Sequence, residues 1–126
     1  MNECIFCNQE DLKLKNIYKY FFTSFDKFPV TEGHTLIITK RHISSYFDLT
    51  KEELDELSNI IMEEKLLLEK SDNRIKGFNI GINQGIVAGQ TIMHCHAHLI
   101  PRRKDDTKNP RGGIRGVIPG KQNYKD

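Results

Sequence analysis

Three of the chain's five histidines, His94, His96 and His98, fall two residues apart in an otherwise apolar run. In an extended segment side chains alternate between faces, so the three imidazoles should share one surface. Met93, Cys95, Ala97 and Leu99 would then face a packed core, which makes Cys95 a small buried hydrophobe rather than a nucleophile. A row of titratable rings costs free energy to bury against apolar neighbours, so it points to chemistry. Two chemistries suit it. The imidazoles can bind a catalytic zinc whose open position activates water. Alternatively, one imidazole can attack phosphorus while its neighbours and a glycine-rich loop hold the phosphate oxygens. The surroundings favour the second, because metal-activated water normally wants a carboxylate base and no Asp or Glu lies between Asp72 and Asp105. The segment Gly85-Ile86-Val87-Ala88-Gly89-Gln90-Thr91 instead offers backbone N–H groups, an amide and a hydroxyl, the donors a phosphate needs.

Cys4 and Cys7 form a C-x-x-C pair, which in a reducing compartment reads as metal binding or redox chemistry rather than as a staple. Redox is disfavoured because the pair does not open a helix after a strand in a βαβ setting. Two thiolates supply half of a tetrahedral zinc site and need two further ligands.

The elements that must position these residues can be read from local pattern. Residues 17–23 are aromatic and β-branched and predict one strand, as do residues 34–39, with turn chemistry at Pro29 and Gly33 between them. Thr50-Lys51-Glu52-Glu53 has the form of a capping box and predicts a helix from there to about Ser71. Its apolar stripe runs through Leu54, Leu57, Ile60, Ile61, Leu67 and Leu68, with Glu64 in the same row. Residues 77–83 predict another strand, followed by the glycine-punctuated loop, and residues 91–100 a last strand stopped by Pro101. The remainder predicts an extended tail. A single long helix over an antiparallel sheet is an α+β layer arrangement.

Composition sets outer bounds. At 126 residues the chain has the size of a single domain, 1–126, with its core at about 4–103 and a tail at 104–126. With 37% hydrophobic and 29% charged residues it should fold, and a net charge of +2 is too small to argue for nucleic-acid binding. Arg102, Arg103, Lys104, Lys108, Arg111 and Arg115 nevertheless gather positive charge near the end. No apolar stretch approaches the roughly 20 residues that span a bilayer, and the opening residues lack the pattern of a leader, so no membrane association and a cytoplasmic location are expected.

The run Gly89-Gln90-Thr91-Ile92-Met93-His94-Cys95-His96-Ala97-His98-Leu99-Ile100-Pro101-Arg102 resembles the signature of the histidine triad (HIT) superfamily. Phe25-Asp26, Pro29 and Gly33 through His42 resemble that family's first hairpin, and Asn79 through Gly85 its strand before the loop. The resemblance implies a five-stranded antiparallel sheet with one long helix and a short one, usually joined across a homodimer. It further implies a purine nucleotide or dinucleoside polyphosphate as ligand, and hydrolysis or transfer at the α-phosphate through a nucleotidyl-histidine intermediate, with no catalytic metal required. Carried over by position, His96 would be the nucleophile and His98 would contact the phosphate or the bridging oxygen. Thr91 and Gln90, beside Gly89, would position the phosphate chain, and Asn83 would hold the α-phosphate region. Asp26 would accept from the ribose, and His34 would orient the other imidazoles. The favoured activity is hydrolysis of diadenosine polyphosphates. Phosphoramidase, phosphorylase or nucleotidyltransferase chemistry and a regulatory nucleotide-binding protein are the alternatives.

The same resemblance supplies the missing metal ligands: some relatives hold a structural zinc with an amino-terminal C-x-x-C, a His after the second strand and the first triad His. Here these are Cys4, Cys7, His42 and His94. The tail, Asn109-Pro110-Arg111-Gly112-Gly113-Ile114-Arg115-Gly116-Val117-Ile118-Pro119, resembles an extension of bacterial dinucleoside polyphosphate hydrolases, in which Arg111 and Arg115 would reach the far phosphates or pack on a dimer partner.

Overall fold

In the computed structural model residues 4–124 are described. Five strands, β1 (Lys13–Ile17), β2 (Phe21–Phe25), β3 (Thr35–Thr39), β4 (Ile75–Gly81) and β5 (His96–Arg103), form one sheet in the order β1-β2-β3-β5-β4. Every neighbouring pair is antiparallel. One long helix, α1 (Lys51–Ser71), covers one face, as the α+β reading anticipates.

The helix starts where its capping box dictates. The Thr50 hydroxyl accepts from the Glu53 N–H at 3.1 Å, and the Glu53 carboxylate accepts from the Thr50 N–H at 2.8 Å. Its buried row is Glu53, Leu57, Ile60, Glu64 and Leu68, narrower than the sequence stripe, because Leu54 and Leu67 are exposed at the margin. Leu57 and Ile60 pack on Phe21, Ile37, Leu49, Cys95 and Ala97, so truncating either to alanine should cost about 2–5 kcal/mol. On the opposite face of the sheet Phe6 joins Phe22, Leu36 and Ile38 in a second apolar cluster. Met93, assigned to the core by alternation, is exposed, because the chain is not yet extended there.

Three local expectations are corrected. Residues 17–23 are not one strand: Ile17 ends β1, Phe21 to Thr23 begin β2, and residues 18–20 form the turn between them, closed by the Tyr18 N–H donating to the Phe21 carbonyl at 2.8 Å. Its exposed backbone is satisfied by tertiary partners, the Lys19 and Tyr20 N–H groups donating to Glu56 on α1 at 3.2 and 2.6 Å. The last strand begins at His96, not near 91, because the Cys95 N–H leaves the β3 ladder and donates to the Ile43 carbonyl at 2.6 Å. Nor does Pro101 end it: β3 pairs only as far as Leu99, so the missing N–H costs no ladder bond, and the Pro101 carbonyl accepts from the Thr31 hydroxyl at 2.8 Å.

The short second helix appears among the described residues only as 3-10 turns: Gln9–Asp11, Tyr46–Asp48, Ile86–Ala88 and Gly113–Val117. The last lies in the tail, which is compact rather than extended. Gln122 donates to the carbonyls of Asn109 and Arg111 at 3.0 and 3.2 Å. Gly112 has φ +88°, and a Cβ there would collide with the Gln122 backbone.

Candidate active site

His96 and His98 on β5 project from the sheet face opposite α1, with ring centroids 5.3 Å apart. They open onto a cavity of about 370 Å³ that is also lined by Asp26, His34, Asn83, Gly89, Gln90 and Thr91. That volume lies within the roughly 300–1,000 Å³ usual for small-ligand sites. Eight of the residues singled out from the sequence therefore meet in one place. His94 does not. It precedes β5, is fully buried, and turns its Nδ1 toward Cys4 and Cys7.

The hydrogen bonds fix which ring nitrogens carry protons. His96 Nδ1 lies 2.7 Å from the His94 carbonyl, which can only accept, so the neutral ring keeps its proton on Nδ1 and presents a lone pair at Nε2. The opposite holds for His98. His34 Nδ1 accepts from the Val30 N–H at 3.1 Å, so His34 carries its proton on Nε2 and donates it to His98 Nδ1 at 2.9 Å. His98 must then hold its own proton on Nε2. The site thus presents one imidazole as an electron-pair donor and its neighbour as a proton donor.

Burial pushes the His96 imidazolium below its ordinary range, partly opposed by the bond to the His94 carbonyl. Burial also lowers His98, with His34 adding to the effect. Burial lowers His34 as well, against the pull of Asp26, whose carboxylate lies 3.5 Å from His34 Nε2. All three rings are held toward the neutral form that nucleophilic attack requires. Asp26, His34 and His98 also bring three ligand-type atoms close together. The Val30–His34–His98 chain engages both nitrogens of His34 and Nδ1 of His98, and His94 faces elsewhere.

The loop before β5 is held by Gln90. Its Oε1 accepts from the Gly85 N–H at 2.9 Å, while its Nε2 donates to the Ser44 and Ile92 carbonyls at 3.0 and 3.2 Å. The amide is spent on loop shape, so Gln90 acts by holding its neighbours. Gly89, at φ +98°, supplies the left-handed turn that ends the short 3-10 segment.

Sequence reasoning missed the apolar wall of the cavity, formed by Ile5, Phe6, Phe25, Phe28, Leu36 and Ile92. By type these residues are indistinguishable from core. The one available signal was the apolar Ile5-Phe6 pair standing between two ligand-type cysteines. Arg111 and Arg115 do not reach the cavity: both guanidinium groups lie over the Tyr124 ring, 4.7 and 5.0 Å from its centroid. Arg102 is committed to Asp106 and Asn79.

A second cluster adjoins the first. Cys4 Sγ and Cys7 Sγ lie 3.3 and 3.5 Å from His94 Nδ1, Cys7 Sγ lies 3.1 Å from His42 Nδ1, and the two imidazole Nδ1 atoms are 3.2 Å apart. Tetrahedral zinc, with bonds of about 2.0–2.1 Å to nitrogen and 2.3 Å to sulfur, spaces its donors by roughly 3.3–3.8 Å. These four spacings match that range within a few tenths of an ångström, and all four donor atoms lie within 4.8 Å of one another. His94 is prepared for the role, because its Nε2 donates to the Thr39 carbonyl at 2.7 Å and leaves a lone pair on Nδ1.

One long helix on one face of a five-stranded antiparallel sheet, with two imidazoles opening onto a cavity on the other, defines an α+β fold with a histidine-lined pocket. The HIT domain profile matches residues 16–105, and the chain belongs to the HIT family. It is similar to an uncharacterized 16.1 kDa HIT-like protein of Mycoplasma pneumoniae, with 35% identity over 80% of this chain and 72% of that one. It is 40% identical to the asymmetrical bis(5'-nucleosyl)-tetraphosphatase of Schizosaccharomyces pombe over 62% of this chain, which spans only 42% of that enzyme. Among solved structures, a zinc-bound histidine triad family protein of Mycobacterium smegmatis superimposes with a TM-score of 0.76 at 30% identity, covering 85% of this chain and 80% of that one.

Proposed function

We propose that the chain is a nucleotide hydrolase that cleaves adenylylated substrates, dinucleoside polyphosphates foremost, at the α-phosphate through a nucleotidyl-histidine intermediate on His96. The observation that carries this reading is the opposed protonation of His96 and His98. The His96 Nε2 lone pair attacks the α-phosphorus. The bond to the bridging oxygen breaks, its electron pair stays on the leaving phosphate, and the His98 Nε2–H hydrogen-bonds to that oxygen as its charge develops. Water then attacks the same phosphorus, releases a proton to solvent, and expels His96 with its lone pair restored. Thr91, Asn83 and the backbone around Gly89 stand where N–H, amide and hydroxyl donors can meet the phosphoryl oxygens. Asp26 accepts from the ribose, and the apolar wall takes the base.

Cys4, Cys7, His42 and His94 hold a structural zinc in this reading, consistent with donor spacing and with the zinc-bound relative of similar fold. The chain works as a homodimer. β4 ends the sheet with an unpaired edge, and beside it Ile80 and Phe47 expose apolar surface. No helix among the described residues is long and apolar enough to cross a membrane.

The test is turnover of diadenosine tetraphosphate and adenosine phosphoramidate by the parent and by His96→Ala, with an alkaline quench and mass analysis of the parent. Expected are a His96-borne nucleotidyl group and a loss of activity on the order of 10³-fold or more in the variant, with AMP binding retained. Undiminished turnover by His96→Ala would overturn the mechanism, and the better substrate assigns the subclass.

A further inference from the structure

We infer that loading of the Cys4–Cys7–His42–His94 cluster sets the affinity of the neighbouring cavity for nucleotides, through the two residues that stand between the thiols. The inference rests on the nucleotide reading of that cavity.

Ile5 and Phe6 are bracketed by the cysteines in a tight turn, the Cys7 and Asn8 N–H groups donating to the Cys4 carbonyl at 3.1 and 3.3 Å. Both line the cavity that holds His96 and His98. Phe6 is only 3% exposed and stands edge-on to both sites at once, its ring 4.9 Å from His96 and 5.9 Å from His94. Its other neighbours are Phe22, Leu36 and Ile38 on the sheet. The metal-binding turn therefore supplies two residues of the cavity wall.

The thiol–imidazole contacts tie this turn to His42, which follows β3, and to His94, which precedes β5. A bound metal would replace these weak contacts with four coordinate bonds and lock the turn at both ends. Flat apolar rings pack well only against walls already in place, and ordering a free segment opposes binding. A purine seated against Phe6 and a metal held by the flanking thiolates would each order the same residues. Whichever binds first spares the other that cost, so the coupling is positive, and thermodynamics requires it to be reciprocal. Phe6 is a positioning residue here: it transmits the state of the cluster and takes no part in bond making.

Calorimetric titration of AMP into zinc-loaded and chelator-stripped parent protein tests this. Stripping should weaken AMP binding at least about fivefold. Saturating AMP should tighten zinc by the same factor, read by competition with a chromophoric chelator. Zinc-loaded Phe6→Ala should retain one zinc, bind AMP several-fold more weakly than the loaded parent, and lose the coupling. Equal AMP affinity in loaded and stripped protein, or parent-like AMP affinity and coupling in Phe6→Ala, would overturn the inference. The zinc competition keeps the test decisive even if stripping unfolds the chain, because it compares loaded protein with and without AMP. Failure of Phe6→Ala to retain zinc would also overturn the inference and would leave the nucleotide reading standing. Failure of the loaded parent to bind AMP would instead remove the nucleotide reading, and the inference with it.

Discussion

His34 Nε2 lies 2.9 Å from His98 Nδ1, and the proton between them belongs to His34, whose other nitrogen is already filled by the Val30 N–H. A residue on the rim of β3 thereby sets the proton inventory of a residue on β5, and His98 faces the cavity as a donor.

If this relay matters, His34→Ala should lower kcat about 10–100-fold, the range for removing a partner that orients an active imidazole. His98→Ala should cost more, on the order of 10²–10⁴-fold, most for substrates with poor leaving groups. Steady-state kinetics on diadenosine tetraphosphate against adenosine phosphoramidate would separate the two. Equal losses on both substrates in His98→Ala would argue against its role as hydrogen-bond donor to the leaving atom.

The metal cluster should contribute to stability as well as to the cavity wall. Cys7→Ser removes one ligand of the set and should lower Tm by roughly 5 °C or more in the presence of zinc. The difference should vanish when both proteins are scanned with a strong chelator. A parent Tm indifferent to chelation would speak against a folded-state metal.

Acid stability should report on the start of α1. The Arg41 guanidinium beside Glu53 holds that carboxyl down at about 2, with the Thr50 bonds of the capping box assisting against burial. Because the folded value is depressed, the contribution is fully present above the ordinary carboxyl range near 4.5 and is lost as pH falls from there toward about 2. Glu53→Gln should be less stable than the parent at neutral pH, and the gap should narrow on acidification across that window. Urea melts at successive pH values would measure it.

Glu64 is fully buried on the inner face of α1, yet Lys15 at 2.7 Å and the donors Asn16, Tyr18 and Thr23 hold it ionised. Burial works to raise this carboxyl, and those partners outweigh it. Lys15→Met should therefore destabilise by about 3–5 kcal/mol, since it strands a buried charge. Adding Glu64→Leu should recover most of the loss. A double-mutant cycle in urea is the measurement, and strict additivity would contradict the coupling.

Much of this was legible locally. The capping box at Thr50 and Glu53 marked the start of α1 because both halves of its hydrogen bonding lie within four residues. The His-x-His-x-His run marked the chemistry because alternation is a property of any extended chain. β1 was not legible: its Lys-Leu-Lys-Asn-Ile sequence is polar and half exposed, and it is a strand only because β2 pairs with it. Ending β5 at Pro101 failed for the same reason, since a proline's effect depends on whether a neighbour needs its N–H, and β3 had already ended.

The sequence alone determined the residue types, their periodicity and the membership that follows from them: imidazoles two apart, a glycine loop before them, cysteines spaced for a metal. Only the tertiary structure decided the division of labour. It sent His94 to the cysteines and left His96 and His98 to the cavity. It assigned the protons through His94, Val30 and His34, and it made Phe6 the wall shared by both sites. The physical reason is that tautomers, burial and donor distances are properties of neighbours, and these neighbours stand up to ninety residues apart in the chain, as Cys4 and His94 do.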